Sequence, residues 1–444
     1  MIWVKRIITA ALFFCLCNAP LLSLNGFAAA AITVYFIIYQ ILPVWEKKRE
    51  AKPPVRLTVM LGGYELFVVS ALLAAAELAF YIALALRPSI LGEKQALVIV
   101  GNAAVTLIIL FVTLANGFFR IIFTSKRLRL VPRLLLIFLW WFPIVNIGLL
   151  WHACRLVKKE YRFEMAKTEL ENLRKENEVC KTKYPILLVH GIFFRDWQLM
   201  NYWGRIPKAL VKNGAEIYYG SQQSAASIES SAAELRGKIL SIIEKTGCEK
   251  VNIIAHSKGG LDSRYAISRL GMDRYVATLT TINTPHRGCV FVQYLLDTLP
   301  EAVVQWTARK YNAVFTRLGD REPDFLAGVK DLRADACARF NEETPDKDGV
   351  LYQSVTSVMK GPFSAPFPLC ISYGLVKRRD GGQNDGLVNT ETARWGEFLG
   401  VQKASGKRGI SHGDMIDLMR EDIPGFDVAE FYVGLVHKLK DRGY

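Results

Sequence analysis

The chain has 444 residues, too many for one average domain, and its hydrophobic fraction of 51% exceeds the soluble norm of roughly 45–50%. The net charge of +15 would suit nucleic acid, but the basic residues neither share one helix nor alternate with stacking aromatics, which argues against that partner. Long apolar runs fall almost entirely before residue 154, and the remainder alternates charges with short apolar segments, so the two parts are built for different solvents.

The first apolar run, Ile7 to Leu24, follows Lys5 and Arg6 but leads to no small-residue cleavage site, so it reads as a span rather than a leader. Asn25 and Gly26 turn the chain into a second run, Phe27 to Trp45. Leu57 to Leu86, Ala96 to Phe119 and Leu134 to Cys154 are each long enough to cross a bilayer at about 20 residues per span. Residues 1–154 are therefore expected to form an all-α transmembrane bundle of four or five helices, placing the protein in a membrane, the plasma membrane above all. Glu65 and Glu77 in the third run lack Arg, Lys or His partners within the spans. Basic clusters at Lys47, Lys48, Arg49 and Lys52 and at Lys126, Arg127 and Arg129 mark cytoplasmic loops, whereas Arg155, Lys158, Lys159 and Arg162 after the fifth run oppose the sidedness these imply. Pro143 adds the option of a re-entrant hairpin. The side of the membrane stays open, as does the oligomeric state.

Residues 155–182 read as a helical stalk with a seam of Phe163, Ala166, Leu170, Leu173 and Cys180. The eight cysteines show neither Cys-x-x-Cys spacing nor a legible disulfide framework.

From residue 183 the pattern changes. Tyr184 to Ile192 is an aliphatic run closed by His190 and Gly191, suited to a strand buried on both faces of a parallel sheet. The run Lys250 to Gly260 repeats the strand and stops at Ser257 among small residues, and a helix pattern follows from Leu261 to Leu270. Strand, turn and helix around a Ser form the context of a nucleophile elbow, where Ala255 and Gly259 leave room for the strained turn. A glycine-rich turn with an incidental Ser is the bland alternative.

Tyr184 to Ile192, Val251 to Tyr265, Leu279 to Gly288, Asn384 to Val388 and Ser411 to Asp414 resemble, in order, segments of bacterial triacylglycerol lipases of the Pseudomonas and Burkholderia type. The resemblance covers residues 183–444. It implies an α/β-hydrolase fold, a mostly parallel sheet with helices on both faces, and a catalytic triad of Ser257, Asp385 and His412.

Chemistry asks for the same residue types: a Ser hydroxyl needs a neutral imidazole to take its proton, and the imidazole needs a carboxylate to fix its tautomer. Of the six histidines, His412 lies in a Gly- and Ser-flanked loop suited to a base, unlike His152, His190, His256, His286 and His437. Asp385 competes with Asp380 as the acid and is favoured by the motif. The oxyanion donors map to the backbone N–H groups of Ile192 and Lys258.

Two departures from the family stand out. Lys258 replaces a common Gln, and its side chain is expected to point to solvent. Those lipases hold a structural calcium; Asp414 matches one ligand, but residues 349–379 contain no Asp or Glu to supply another. No metal is expected, at most a weak calcium site at Asp414.

Residues 289–352, with Val292, Tyr294, Leu295, Leu296, Val303, Val304, Trp306 and Phe315, occupy the place of a lipase cap, or else pack on the core. The expected function is a membrane-anchored lipase or esterase acting on a lipid or other hydrophobic ester. The competing readings are a catalytically silent binding module on a membrane bundle and a transporter built around Glu65 and Glu77.

Overall fold

The structure, a computed structural model, describes residues 2–43, 52–86, 93–128, 130–138, 143–175, 177–192, 202–223, 225–317, 319–320 and 322–444. Lys47, Lys48, Arg49 and Arg129 of the basic clusters fall outside these residues. The chain divides into two compact units, residues 1–173 and 174–444.

The first unit is helical: α1 (Ile2–Cys17), α2 (Gly26–Ile41), α3 (Val55–Ala85), α4 (Glu93–Thr124), α5 (Leu130–Phe138) and α6 (Pro143–Lys175). Among the described residues, only α3 and α4 are long and apolar enough by themselves to cross a membrane. The 16 residues each of α1 and α2 rise about 24 Å, short of a roughly 30 Å hydrocarbon layer. Of the expected fifth span, α5 ends at Phe138 and α6 begins at Pro143, a residue preset for the first turn of a helix; residues 139–142 between them lie outside the described residues. Most of the expected helical stalk, residues 155–182, lies within α6, which no Gly or Pro between Leu149 and Lys175 interrupts.

Helices α3 and α4 touch backbone to backbone: a β-carbon on Gly63 would lie 2.7 Å from the Gly117 carbonyl. Along α6 the packed residues are Val157, Tyr161 and Met165, joined to Leu57, Met60, Tyr64 and Ile121. The expected seam is thus displaced: Ala166 and Leu173 are exposed, because the four-residue rhythm starting at Val157 already fills the groove. Glu65 has a partner after all, in Arg6, whose Nε and Nη2 donate to its carboxylate at 2.7 and 2.5 Å. Their separation of 59 positions hides the pair from a reading confined to the spans. Glu77 accepts from Asn18 Nδ2 at 2.9 Å.

The second unit contains β1 (Ile186–Val189), α7 (Ile206–Lys212), β2 (Ile217–Tyr219), α8 (Ile228–Thr246), β3 (Val251–His256), α9 (Lys258–Arg269), β4 (Val276–Ile282), α10 (Val290–Thr298), α11 (Glu301–Arg317), α12 (Phe325–Lys330), α13 (Ala334–Glu343), β5 (Leu351–Ser357), α14 (Leu369–Asp380), β6 (Glu397–Gln402) and α15 (Val428–Asp441). Six parallel strands form one sheet in the order β2-β1-β3-β4-β5-β6. Alternation decides the layers. Ile186, Leu188 and Ile254 face one side, packed on Ile206 and Leu210 of α7 and Tyr432 and Val436 of α15. Leu187, Val189, Ile253 and Ala255 face the other, packed on Leu235 and Ile239 of α8 and Ala266 and Ile267 of α9. Both faces are covered, so the strands read as continuous apolar runs.

Helices α10–α13 form the insertion between β4 and β5. It is not a core layer: α10 buries no residue, and Val303, Trp306, Tyr311 and Val314 of α11 are exposed. Of the residues expected there, Phe315 is buried.

Candidate active site

Ser257 lies in the tight turn between β3 and α9, with φ 54° and ψ −132°, a conformation that non-glycine residues hold only where their surroundings over-determine it. The surroundings do so here. The Ser257 N–H donates to the Ile282 carbonyl at 3.0 Å and its carbonyl accepts from Thr284 Oγ1 at 2.8 Å. A β-carbon on Gly259 would lie 2.4 Å from the His190 carbonyl, so this side of the turn admits no side chain. The Ser257 hydroxyl makes no hydrogen bond among the described residues.

His412 stands on the connection from β6 to α15. Its Nδ1 lies 2.6 Å from Asp385 Oδ2, and its N–H donates to the Asp385 carbonyl at 2.8 Å. Asp385 is fully buried, and its Oδ1 accepts from the N–H groups of Leu387 and Val388 at 2.9 and 2.8 Å. With that carboxylate on Nδ1, the imidazole carries its proton there and keeps Nε2 free as a base. The His412 ring lies 4.5 Å from that of His256, the neighbour of Ser257. Asp380 is placed elsewhere, at the end of α14 facing Asn389.

The expected oxyanion donors flank the same turn. Lys258 begins α9, so its N–H has no partner within the helix. Ile192 follows Gly191, where a β-carbon would lie 2.8 Å from Ser257 Cβ.

The Lys258 side chain departs from expectation. It is buried, with Nζ donating to Asp262 Oδ1 at 2.6 Å and Ser231 Oγ at 3.2 Å. The pair is spaced i,i+4 on α9, whose first turn is covered by α8, leaving the ammonium no path to water. Burial pushes the Asp262 carboxyl up to about 7, against the pull of Lys258.

One tie was not foreseen from sequence. Tyr202 Oη accepts from the Gly191 N–H at 3.0 Å and donates to His256 Nδ1 at 2.7 Å; His256 Nε2 donates to the His412 carbonyl at 3.2 Å. Burial, then the neighbouring His412, lowers the His256 pKa well below its ordinary value, so the ring stays neutral. His190 and His286 are also enclosed, the former between the carbonyls of Gly191 and Gln222, the latter against Thr281 and Arg264.

The residues around Asp414 do not fit a divalent cation. Its Oδ1 accepts from Arg408 Nη2 at 2.6 Å, and its Oδ2 accepts from the N–H and hydroxyl of Ser411 at 2.8 and 2.7 Å. Among the described residues no three His, Cys, Asp or Glu are grouped to hold a metal. All eight cysteines are free thiols.

A parallel sheet carrying a strained Ser after a central strand, with a carboxylate and a His on later connections in that chain order, is the arrangement of the α/β-hydrolase fold. A family model described as "Putative serine esterase (DUF676)" matches residues 181–321. The chain is 30% identical over 176 residues to a triacylglycerol lipase of Pseudarthrobacter phenanthrenivorans, covering 37% of this chain and 54% of that one. It is 29% identical over 247 residues to a triacylglycerol lipase of Vibrio cholerae, covering 49% and 76%. The chain thus spans about half the length of the first relative. Staphylococcus hyicus lipase aligns over 59% of this chain and 97% of its own, at 17% identity and a TM-score of 0.48. The resemblance to triacylglycerol lipases drawn from the motifs is present in these matches.

Proposed function

We propose that the chain is a serine hydrolase cleaving carboxylic esters of lipids or other hydrophobic acyl compounds, held at a membrane by its N-terminal helices. The observation that carries the reading is the Asp385–His412 pair, 2.6 Å apart, set beside a Ser held in an elbow conformation. Asp385 holds the Nδ1–H tautomer, so Nε2 takes the Ser257 hydroxyl proton as Oγ attacks the ester carbonyl. The N–H groups of Lys258 and Ile192 receive the oxyanion. His412 returns the proton to the leaving alcohol, and the same steps with water release the acid from the acyl-enzyme. The lipase names of the relatives favour a lipid ester as substrate.

The anchoring role rests on α3 and α4. Only 33% and 22% of the residues in their most apolar windows are buried, and their outward faces present Leu78, Ile82, Leu107 and Phe111. Such faces suit hydrocarbon rather than water, and the plasma membrane is the proposed location. The exposed Val303 and Trp306 of α11 give the insertion an apolar surface suited to lipid contact.

A fluorophosphonate probe tests the reading. Labelling of the full chain that vanishes in Ser257→Ala supports the enzyme. Absence of labelling in folded protein would replace it with a binding module.

A further inference from the structure

His412 sits in the 403–427 connection, whose only regular element is a short turn at Asp414–Ile416. A base must be held to within about 0.5 Å of its working position by groups that are themselves locked, and apart from the bonds of the Ile410 and His412 N–H groups to the Val358 and Asp385 carbonyls and an isolated Ile423–Phe426 bridge, this connection offers no strand or long helix to do so. Within the ten residues after His412 it carries Asp414, Asp417, Glu421 and Asp422. In the structure each meets a guanidinium.

Arg408 bridges Asp414 at 2.6 Å and also pairs with Glu421, while its Nε donates to the Ser364 carbonyl at 2.8 Å. Ser364 lies on the segment after β5, and its hydroxyl accepts the Gly409 N–H at 3.1 Å. On the other side Arg205, at the start of α7, holds Asp417 through Nε and Nη2 at 2.7 and 2.8 Å and Asp422 through Nη1 at 3.0 Å. The Arg408 arm reaches closest to the chemistry: Asp414 Oδ2 grips Ser411, the residue before His412.

We propose that Arg408 is a positioning residue for His412, its guanidinium performing through Asp414 the cross-linking that a divalent cation performs in the lipases the sequence resembles. The charge logic is consistent. A planar cation with several directed donors satisfies a carboxylate, a backbone carbonyl and a second carboxylate at once, and it leaves Asp414 no open oxygen for a metal, which needs six or more. The role in catalysis rests on the proposed hydrolase reading; the clamp itself does not.

The test uses the full chain in detergent micelles with a short water-soluble ester. Arg408→Ala is expected to lower kcat about 10- to 100-fold, the scale of a small misplacement of a reacting group, with KM nearly unchanged. Arg408→Lys should recover part of the loss, and added guanidinium ion at millimolar concentration should raise the rate of the Ala variant alone. EDTA should leave the wild-type melting temperature and rate unchanged, and calcium should restore neither in the variant. Wild-type kcat in a folded Ala variant, or a melting temperature that falls with EDTA and recovers with calcium, overturns the proposal. Should Arg408→Ala not fold, the kcat and KM of Arg408→Lys decide in its place. Should the wild type not react with a fluorophosphonate, the hydrolase reading fails by itself. The EDTA and calcium melting series still decides whether Arg408 or a metal ties the loop.

Discussion

Asp385 gives one carboxylate oxygen to His412 Nδ1 at 2.6 Å and the other to the Leu387 and Val388 N–H groups, so the position of its carboxylate is fixed before any substrate arrives. The imidazole it orients is held a second time, through the His412 N–H on the Asp385 carbonyl. Replacing Asp385 by Asn would keep the shape and reverse the tautomer.

That reversal sets the first expectation. Asp385→Asn should reduce turnover about 10⁴-fold, and Ser257→Ala and His412→Ala by on the order of 10⁶-fold, with melting temperatures close to wild type for the Ser variant. Asp380→Asn should be nearly silent. Steady-state ester hydrolysis by the four variants measures this, and a larger loss in Asp380→Asn than in Asp385→Asn would move the acid.

The buried pair on α9 makes a stability expectation. Asp262→Asn strands the Lys258 ammonium beside Ser231 and should destabilise the hydrolase unit by about 3–5 kcal/mol, whereas Lys258→Met with Asp262→Leu removes both charges and should recover most of the loss. Thermal unfolding of the three proteins compares them; a double variant as unstable as the single one would mean that the pair itself contributes the stability.

Two enclosed rings predict acid sensitivity. Burial, aided by His412 for His256 and by Arg264 and Arg287 for His286, holds both native pKa values well below 6.5. Below that value the unfolded chain binds protons that the native state refuses. Their contribution is therefore complete above about pH 6.5 and is lost as pH falls towards the native values, at about 1.4 kcal/mol per unit for each ring. His286→Gln should flatten the fall in melting temperature between about pH 6.5 and pH 5 relative to wild type. An unchanged slope would show that His286 is protonated in the folded state.

The division between residues 173 and 174 bears on the membrane role. A chain starting at Arg174 should fold in detergent-free buffer and hydrolyse short soluble esters, yet lose far more activity on ester embedded in vesicles, because anchoring raises the local concentration of such a substrate. Sedimentation and paired assays on both substrates report it. Equal losses on the two substrates by a folded truncation would mean that the helices shape the active site.

What could be read from the sequence was whatever lies close together along it. The β3 strand, the small residues flanking Ser257 and the helix after it form one local signal, and the strand at Ile186–Val189 carries its own apolar run. Partners brought in from afar were not legible: Arg6 for Glu65, Tyr202 for His256 and Ser364 for Arg408 are separated by dozens of positions. The Lys258–Asp262 pair is different, since its i,i+4 spacing was visible. What was not visible was that α8 would cover that face of α9 and turn an exposed pair into a buried one.

The bonds through Tyr202 and His256 begin at an amide N–H, that of Gly191, and end at an amide oxygen, that of His412. Neither terminus can gain or lose a proton at ordinary pH, so these bonds tie backbone to backbone without giving a proton a place to enter or leave at either end. They tie the oxyanion side of the elbow to the backbone of the base without offering the His412 imidazole a second acceptor.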